Sequence, residues 1–397
     1  VPAQSGSPVS GFVRLCCSMA PLSSIAEAGA SVFVFFTGKG TRTTPAKRTL
    51  PRSGEGMKTA NLPLFCDNTD PLPSGILASE IPEKTHRLQP PETERKADGM
   101  RKKIVGVIPP IITPVDEQER VDEKGLRALV DHCIDHGLHG IFVCGSNGEC
   151  MALTQKERDR AIRIALDQCA GRVPVIAGCM DSSTQRVIEN IKRFEDMGGE
   201  TAVVTPVFYA RHATQDETVR HFEEISRHTS ANLMIYNIPP FTGQLLTADT
   251  IIRLAQIDKV IGVKDTSGNF PLFTKLLHHF KGTDFLVHQG STNLAVPSLL
   301  MGADGYIPSL APLFPKAHLN LYEYGRKGDI ANAMKWGAIV DEICMLYPMA
   351  KSQTASTKYA ISTLGFADKR VCQPTEPITA QEMQRIDAHI QRLQEYM

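Results

Sequence analysis

The sequence lacks three features that would each point to a particular class of protein. It has no net formal charge, with 43 basic and 43 acidic residues, so no overall field attracts nucleic acid or an anionic membrane. No apolar run reaches the roughly 20 residues that are needed to span a bilayer. The ten cysteines form no C-x-x-C pair and no metal-ligand spacing, which is typical of reduced thiols in an intracellular protein. These absences favour a cytoplasmic globular protein that binds neither nucleic acid nor membranes.

Residues 1–99 differ in composition from the rest of the chain. They are rich in Ser, Pro, Gly and Thr and show no sustained helical or strand period. The excess of basic over acidic residues before residue 60 resembles that of an organellar transit peptide. Met100 and the basic residues after it look like a natural start. We therefore expect residues 1–99 to be disordered, either as a transit-like extension, which implies an organellar location, or as upstream sequence outside the working protein.

Residue 104 begins a regular alternation of apolar strand-like runs and amphipathic helical segments. Eight strand–helix repeats in about 220 residues match a closed (β/α)8 TIM barrel, an α/β fold whose typical size is about 250 residues. An open doubly wound sheet fits less well, because the first turn, Pro109–Pro114, lacks the glycines of a dinucleotide site. The predicted strands are Val105–Thr113, Gly140–Cys144, Val173–Gly178, Thr201–Thr205, Asn232–Asn237, Val260–Lys264, Phe285–Gln289 and Gly305–Ser309.

The strand pattern stops after residue 326. The remaining segments, Asp329–Leu346, Ser352–Leu364 and Ala380–Leu393, have helical periodicity. We therefore predict a barrel over residues 100–326 and a C-terminal helical domain over residues 327–397. The patterns Thr154–Glu157 and Thr379–Glu382 are typical of capping boxes at helix starts.

A lysine ends one of the buried strands, Val260–Lys264. Because side chains alternate along a strand, Gly262 and Lys264 share one face and Asp265 lies on the other. We expect Gly262 to leave room beside the amine, and Asp265 not to pair with it. A poorly hydrated amine has its charged form disfavoured, and a neutral amine forms a Schiff base with a carbonyl group. The alternative is a lysine whose amine reaches solvent from the strand end.

Other polar residues follow neighbouring strands, at the ends where a barrel enzyme builds its site. The segment Gly145–Glu149 contains two glycines that allow a tight turn with inward N–H groups, and Ser146 and Asn147 add side-chain donors. Such a concavity binds a carboxylate or a phosphate, although a plain turn is equally compatible with the sequence. The other strand-end residues that we expect in the same cavity are Thr113, Tyr236, Asn237, His288 and Gln289.

Tyr236 would add a proton donor and acceptor to this cavity. A phenol beside an amine or imine can pass protons in either direction; the alternative is a core tyrosine whose hydroxyl bonds a backbone group. Together with Lys264 and the anion-binding turn, it suits a 2-oxo acid, whose ketone would face the amine. A protonated imine withdraws electrons without a metal or cofactor, so the neighbouring carbon can lose a proton and attack an aldehyde.

Three cysteines, Cys144, Cys150 and Cys179, fall near predicted strand ends, where a nucleophile could lie. Free cysteine is among the most buried residue types and packs like a small hydrophobe. We therefore expect these three residues to be small buried hydrophobes rather than a nucleophile.

At these residues the chain resembles the dihydrodipicolinate synthase / N-acetylneuraminate lyase family of pyruvate-dependent class I aldolases, from about residue 104 to the C-terminus. The resemblance implies a barrel with a C-terminal helical domain, assembled as a homotetramer of two tight dimers. The matching stretches are Gly145–Glu149, Thr205-Pro206, Tyr236–Pro239 with Thr242-Gly243, and Gly262–Lys264.

The resemblance also implies a role for each site residue. Lys264 forms the Schiff base, and Tyr236 carries the proton. Ser146 stands where the family has a Thr or Ser that relays the proton and touches the substrate carboxylate. Asn147 stands at the second hydroxyl position of that cradle, usually Thr, and Ile307 matches a residue that lines the pyruvate pocket.

Two positions depart from the family pattern. Phe208 stands where the family has a second tyrosine that reaches the neighbouring subunit's site, and Tyr209, one step on, is the candidate substitute. Phe241 stands where dihydrodipicolinate synthases carry an Arg that grips the second carboxylate of the aldehyde-derived partner. A phenyl ring makes no such charge-assisted contact. Arg211 and His212, in a loop, are candidates to compensate.

The preferred hypothesis is an aldolase or lyase that joins pyruvate or a related 2-oxo acid to an aldehyde, or releases it from one. Phe241 favours an aldehyde of sugar-acid or aromatic type. The first alternative is 4-hydroxy-tetrahydrodipicolinate synthase, and the second is a non-catalytic barrel that binds 2-oxo acids. A metal-dependent hydrolase is a third, since His132 and His136 lie at i, i+4, but on the outer first helix, where we expect them to be solvated.

Overall fold

The computed structural model describes residues 104–397, so the prediction that residues 1–99 are disordered falls outside the described part of the chain. Within residues 104–397, eight parallel strands form one sheet. The strands are β1 Gly106–Val107, β2 Ile141–Val143, β3 Val175–Gly178, β4 Thr201–Val204, β5 Asn232–Asn237, β6 Val260–Asp265, β7 Leu286–Gln289 and β8 Gly305–Tyr306.

The sheet closes into the predicted barrel. Strands β2 to β8 pair in chain order, and β8 pairs with β1. A parallel bridge between Pro110 and Phe142 joins the first and second strand segments. There the Phe142 N–H donates to the Pro109 carbonyl at 3.0 Å, and the Ile111 N–H donates to the Phe142 carbonyl at 3.0 Å. The (β/α)8 fold class is confirmed.

The first strand is shorter than the sequence pattern predicts. Val105–Thr113 is apolar throughout, but only Gly106 and Val107 form a regular ladder. Pro109 and Pro110 lack an N–H group and so cannot donate to a neighbouring strand. The apolar run therefore continues as buried irregular chain beyond β1.

Helices cover the outside of the barrel and build the C-terminal segment. Their apolar stripes face the strands, as in α3, where Val187, Ile191 and Phe194 are fully buried. No helix in residues 104–397 combines the length and apolar character needed to cross a membrane. The helices are α1 Glu123–Asp135, α2 Gln155–Cys169, α3 Thr184–Asp196, α4 Gln215–His228, α5 Pro239–Thr242, α6 Ala248–Leu254, α7 Phe270–His279, α8 Ala295–Leu300, α9 Pro315–Lys327, α10 Ile330–Cys344, α11 Gln353–Ser362 and α12 Ala380–Arg392.

The three helices predicted at the C-terminus are present as α10, α11 and α12. We call residues 327–397 the C-terminal helical segment. The division into domains at residues 326 and 327 stays a prediction, although α9 does end at Lys327.

The two predicted capping boxes have different outcomes. Thr379 and Glu382 form the full reciprocal pair at the start of α12. Thr154 caps α2 by accepting from the Glu157 N–H. The Glu157 carboxylate, however, accepts from the Val121 N–H at 2.7 Å and so ties α2 to the loop before α1. A tertiary contact has replaced half of the local motif.

Phe142 lies at the seam that closes the barrel, and its side chain is fully buried. We expect Phe142→Ala to lower the free energy of unfolding by about 3–5 kcal/mol, because the truncation leaves a cavity in a packed core. Phe241→Ala removes the same atoms from a residue that is 71% exposed and should change stability by no more than about 0.5 kcal/mol. Denaturant unfolding measures both, and equal losses would contradict the assigned burial.

Candidate active site

A cavity of about 440 Å³ opens at the C-terminal ends of the strands. This is the end at which TIM-barrel enzymes carry their active sites. The cavity brings together residues from seven separate parts of the chain, between Pro110 and Thr354. Six of the seven site residues named from the sequence line it: Ser146, Asn147, Tyr236, Phe241, Lys264 and Ile307.

Lys264 is the fifth residue of β6 and only 4% exposed. Its Nζ lies 4.0 Å from the centroid of the Tyr236 ring and 4.9 Å from that of Phe142. Within residues 104–397 this nitrogen makes no hydrogen bond or ion pair. The amine is therefore held against aromatic faces, which attract a cation, and no carboxylate occupies it.

Two glycines near the Lys264 amine, Gly262 and Gly290, differ in which neighbour occupies the space beside them. A Cβ on Gly262 would lie 2.7 Å from the Leu286 carbonyl oxygen, so this glycine accommodates β7 and leaves no space for a ligand. The expectation that Gly262 makes room beside the amine is wrong. Gly290, after β7, is the glycine beside it, since a Cβ there would meet Thr266 Oγ1 at 2.0 Å and Lys264 Cε at 3.1 Å.

The turn Gly145–Glu149 has the geometry of an anion site. The Gly148 and Cys150 N–H groups donate to the Gly145 carbonyl, and the Glu149 N–H donates to the Ser146 carbonyl. By contrast, the N–H groups of Ser146 and Asn147 donate to no protein atom in the described chain, and both residues line the cavity. Two unpaired amides on one tight turn form a concavity suited to a carboxylate.

Tyr236, like the turn, has a polar group without a hydrogen-bond partner in the described part of the chain. The residue is 3% exposed and lines the cavity, and its hydroxyl makes no hydrogen bond within residues 104–397. The alternative of a core tyrosine bonded to a backbone group is therefore wrong. The phenol is free to exchange a proton with a bound molecule.

Asp265 faces away from Lys264, as the strand alternation predicts. Its carboxylate accepts from Asn237 Nδ2 at 2.6 Å and from the Ser267 hydroxyl at 2.9 Å. Asn237 Oδ1 in turn accepts from the Leu246 N–H at 3.1 Å, which fixes the far end of the loop that carries Phe241. Burial raises the pKa of the Asp265 carboxyl to about 6.

Four other strand-end residues do not line the cavity, so the expectation that they converge on it is wrong. Thr113 donates to the Gly148 carbonyl at 2.9 Å and supports the Gly145–Glu149 turn from behind. Gln289 donates to the Ser298 hydroxyl at 2.9 Å. His288 lies inside the barrel, where burial lowers its pKa to about 4. Asn237 is fully buried in the Asp265 network.

Several residues that line the cavity were not predicted from the sequence. Thr266, Gly290 and Ser309 follow strands β6, β7 and β8, so the strand-end rule could have identified them. No comparable signal marks the residues that come from the C-terminal helical segment, because they lie on helices far along the chain. Those residues are Cys344, Tyr347, Gln353 and Thr354.

Tyr209 is the predicted site residue that does not line the cavity of its own chain. It is 97% exposed, with a backbone φ of 70°. Its role as a substitute for the inter-subunit tyrosine stays a prediction, and so does the homotetramer. Arg211, a candidate to replace the missing Arg, donates instead to the Gly243 carbonyl at 3.0 Å.

The cysteine prediction is confirmed. Cys144, Cys150 and Cys179 are buried. Burial raises the pKa of the Cys144 thiol, that of Cys150 to about 11 and that of Cys179 to about 12. Thiols in this state supply almost no thiolate near neutral pH.

The histidine pair on α1 differs in part from expectation. His136 is exposed, but His132 is half-buried and its Nε2 lies 2.8 Å from the Pro312 carbonyl oxygen. No group of three or more His, Cys, Asp or Glu residues within the described range is arranged to hold a metal ion.

The closed barrel and the cavity at its strand ends define a TIM-barrel enzyme. Residues 103–393 match the model of the dihydrodipicolinate synthetase family. The chain belongs to this family and is one of its lyases or synthases.

Three relatives illustrate the likeness. The 4-hydroxy-tetrahydrodipicolinate synthase of Methanospirillum hungatei is 28% identical over 293 residues, 72% of this chain and 98% of that protein. A prophage protein of the same family from Escherichia coli K12, solved in complex with pyruvate, is 29% identical with a TM-score of 0.70 and covers 73% of this chain and 99% of its own. A pyruvate complex of the chloride-inhibited dihydrodipicolinate synthase from Acinetobacter baumannii is 28% identical with a TM-score of 0.70, over 74% of this chain and 100% of its own.

The buried Asp265 carboxyl makes folding depend on pH. Because its pKa rises from the ordinary 3.8 to about 6 on folding, the folded chain binds this proton more tightly. It therefore stabilises the fold at low pH, and that stabilisation is lost as pH rises through about 6. We expect the difference in melting temperature, that of the parent minus that of Asp265→Asn, to decrease as pH rises from about 4 to about 7. Parallel pH profiles for the two proteins would contradict the shift.

Proposed function

We propose that the protein is a Schiff-base-forming aldolase or lyase that condenses pyruvate with an aldehyde, or releases pyruvate from the product. The observation that carries this proposal is the Lys264 amine, which is buried, faces a cavity and has no carboxylate partner. A lysine used for structure would be paired or solvated. An unpaired buried amine beside an anion-binding turn suits nucleophilic attack on a 2-oxo acid.

Substrate binding, nucleophilic attack and proton transfer would be carried out by different residues of the cavity. The unpaired N–H groups of Ser146 and Asn147 bind the pyruvate carboxylate, which places the ketone at Lys264 Nζ. The nitrogen bonds to the ketone carbon and water leaves, giving a protonated imine. Tyr236 and Ser146 hold and relay the protons of this step. The protonated imine draws electrons, so the methyl carbon loses a proton to the Tyr236 and Ser146 hydroxyl relay and an enamine forms. The enamine carbon then bonds to the aldehyde carbon as the aldehyde C=O double bond opens, and the aldehyde oxygen takes up a proton. Water then hydrolyses the imine and frees Lys264.

Two similar proteins support the choice of pyruvate. The Escherichia coli prophage protein and the Acinetobacter baumannii enzyme were both solved in complex with pyruvate. Ile307, which follows β8 and is 2% exposed, gives this cavity an apolar surface. A small keto acid with one carboxylate and one methyl group suits such a site.

The lining of the cavity bears on the aldehyde. Lys264 is the one charged side chain among the lining residues that the structure describes. Phe241 stands at the mouth, and Arg211 is engaged with Gly243. A carboxylate on the aldehyde, in addition to that of pyruvate, would therefore meet no cation other than Lys264, which would already hold pyruvate, at a cost of several kcal/mol. We propose an aldehyde without a second carboxylate. The polar lining is neutral and consists of Ser146, Asn147, Thr266, Ser291, Thr292, Asn293, Ser309, Gln353 and Thr354, together with the Tyr236 and Tyr347 hydroxyls.

4-Hydroxy-tetrahydrodipicolinate synthase activity is the second candidate. The name of the Methanospirillum hungatei relative favours it, at 28% identity. The two candidates share the Schiff base and differ in the aldehyde, because aspartate semialdehyde carries a carboxylate of its own.

Borohydride reduction tests the Schiff base. Reduction in the presence of pyruvate should attach the pyruvate carbons irreversibly to Lys264, and peptide mass spectrometry locates the adduct. Lys264→Ala should lose the adduct and all turnover. Lys275→Ala, which removes an exposed lysine paired with Asp249, is the matched control and should label like the parent. A parent that binds pyruvate without an adduct would be a non-catalytic binding protein.

Steady-state kinetics with a panel of aldehydes tests the second substrate. With pyruvate saturating, we expect kcat/KM for hydroxylated aldehydes without a carboxylate to exceed that for aspartate semialdehyde. Phe241→Arg should raise kcat/KM for aspartate semialdehyde by about tenfold or more, since it adds a charge-assisted contact. Phe241→Leu is the control and should not. Rapid turnover of aspartate semialdehyde at low concentration by the parent would favour the second candidate.

A further inference from the structure

We propose that the buried ion pair between Glu149 and Lys358 positions the anion-binding turn, so that the C-terminal helical segment sets the affinity of the site for its 2-oxo acid. The inference rests on the proposed function in one respect, the identity of the bound acid. Neither residue lines the cavity, so both would act through the turn and make no contact with substrate.

The pair joins two parts of the chain that are 209 residues apart. Lys358 Nζ lies 2.5 Å from Glu149 Oε2, and the two side chains are 0% and 5% exposed. The other carboxylate oxygen, Oε1, accepts from the Cys372 N–H at 2.9 Å. Both oxygens are therefore held by the C-terminal helical segment, one by α11 and one by the chain before α12.

Glu149 is also the last residue of the anion-binding turn. Its backbone has a left-handed φ of 52°, which is uncommon for a residue other than glycine. Its N–H donates to the Ser146 carbonyl at 3.1 Å, and its carbonyl accepts from Ala152 and Leu153 at 2.9 and 3.1 Å. The carboxylate contacts hold this residue in a strained conformation, and the same conformation presents the unpaired amides of Ser146 and Asn147.

Helix α11 links the pair to the cavity wall. Gln353 and Thr354, in its first turn, line the cavity. Lys358 lies one turn after Thr354 and so projects from the same face of the helix. One helix face therefore supplies part of the wall and the cation that holds the turn. A shift of α11 would move both together.

Electrostatics makes this link sensitive to loss of one partner. A buried charge without its counter-ion is strongly unfavourable, whereas replacing both charges by neutral groups of similar size is often neutral for stability. Lys358→Met leaves the Glu149 carboxylate buried and unpaired, so the turn should move to expose it. Glu149→Gln with Lys358→Met removes both charges and should fold, but it leaves the turn without its anchor to α11.

Two readouts test the proposal in the full chain. The first is hydrogen–deuterium exchange at the amides of Gly148, Glu149 and Cys150, which are bonded within the turn. The second is the pyruvate concentration that gives half-maximal borohydride labelling. The matched control is Lys351→Met, which breaks an exposed 2.6 Å pair with Glu376 in the same C-terminal segment.

We expect Lys358→Met to speed exchange of the turn amides and to raise the half-labelling pyruvate concentration, each by about tenfold, a size typical of coupled sites. The double variant should regain the parent's melting temperature and keep the weakened labelling. If Lys358→Met does not fold, the double variant carries the test. Parent-like turn exchange in the double variant, or parent-like half-labelling in it, would overturn the proposal. A parent that pyruvate never labels would refute the proposed function, while the exchange result would still decide whether the pair positions the turn.

Discussion

The site depends on one amine that is buried without a counter-ion. Lys264 Nζ lies against the rings of Tyr236 and Phe142 and makes no ion pair in the described chain. Burying an amine in this way costs free energy, which a large packed core can offset. The neighbouring features follow from that placement. Gly290 lets the lysine stem pass close to Thr266, and Asp265 is turned to the opposite face, where it bonds to Asn237 and Ser267.

The strands carry the two residues proposed for catalysis, and segments outside the strands carry the residues proposed to contact the second substrate. Lys264 and Tyr236 lie on paired strands, opposite each other in register, so the sheet fixes their separation. The residues that would meet the second substrate lie on segments outside the strands, among them Phe241 in the short helix α5 and Gln353 at the start of α11. Loops and helix ends tolerate change that strands do not. The proposed half-reaction on pyruvate can therefore persist while the aldehyde partner differs between relatives.

The parts of the site that could be predicted from the sequence are those carried by strands. Their period of two and their apolar runs located Lys264 and Tyr236, and the side-chain alternation gave the orientation of Asp265. The same rules failed at Gly262, whose missing Cβ accommodates β7. A local pattern cannot show which neighbour occupies the space beside a glycine. The length of β1 was overestimated because apolar character continues through Pro109, which lacks the N–H that a ladder needs.

The C-terminal helical segment explains why the rest could not be predicted. Lys358 sits in a helix whose buried face also carries small polar residues, Ser356 and Thr357, so its sequence gives no apolar stripe that would mark it as internal. Only the fold brings it to Glu149, a residue that the sequence had already placed in the Gly145–Glu149 turn. Unlike Lys264, Lys358 is buried with a carboxylate partner, and a sequence shows Lys358 and Glu149 without showing that they meet. The barrel and its helical segment are thus joined by electrostatics at the turn that would bind the substrate carboxylate.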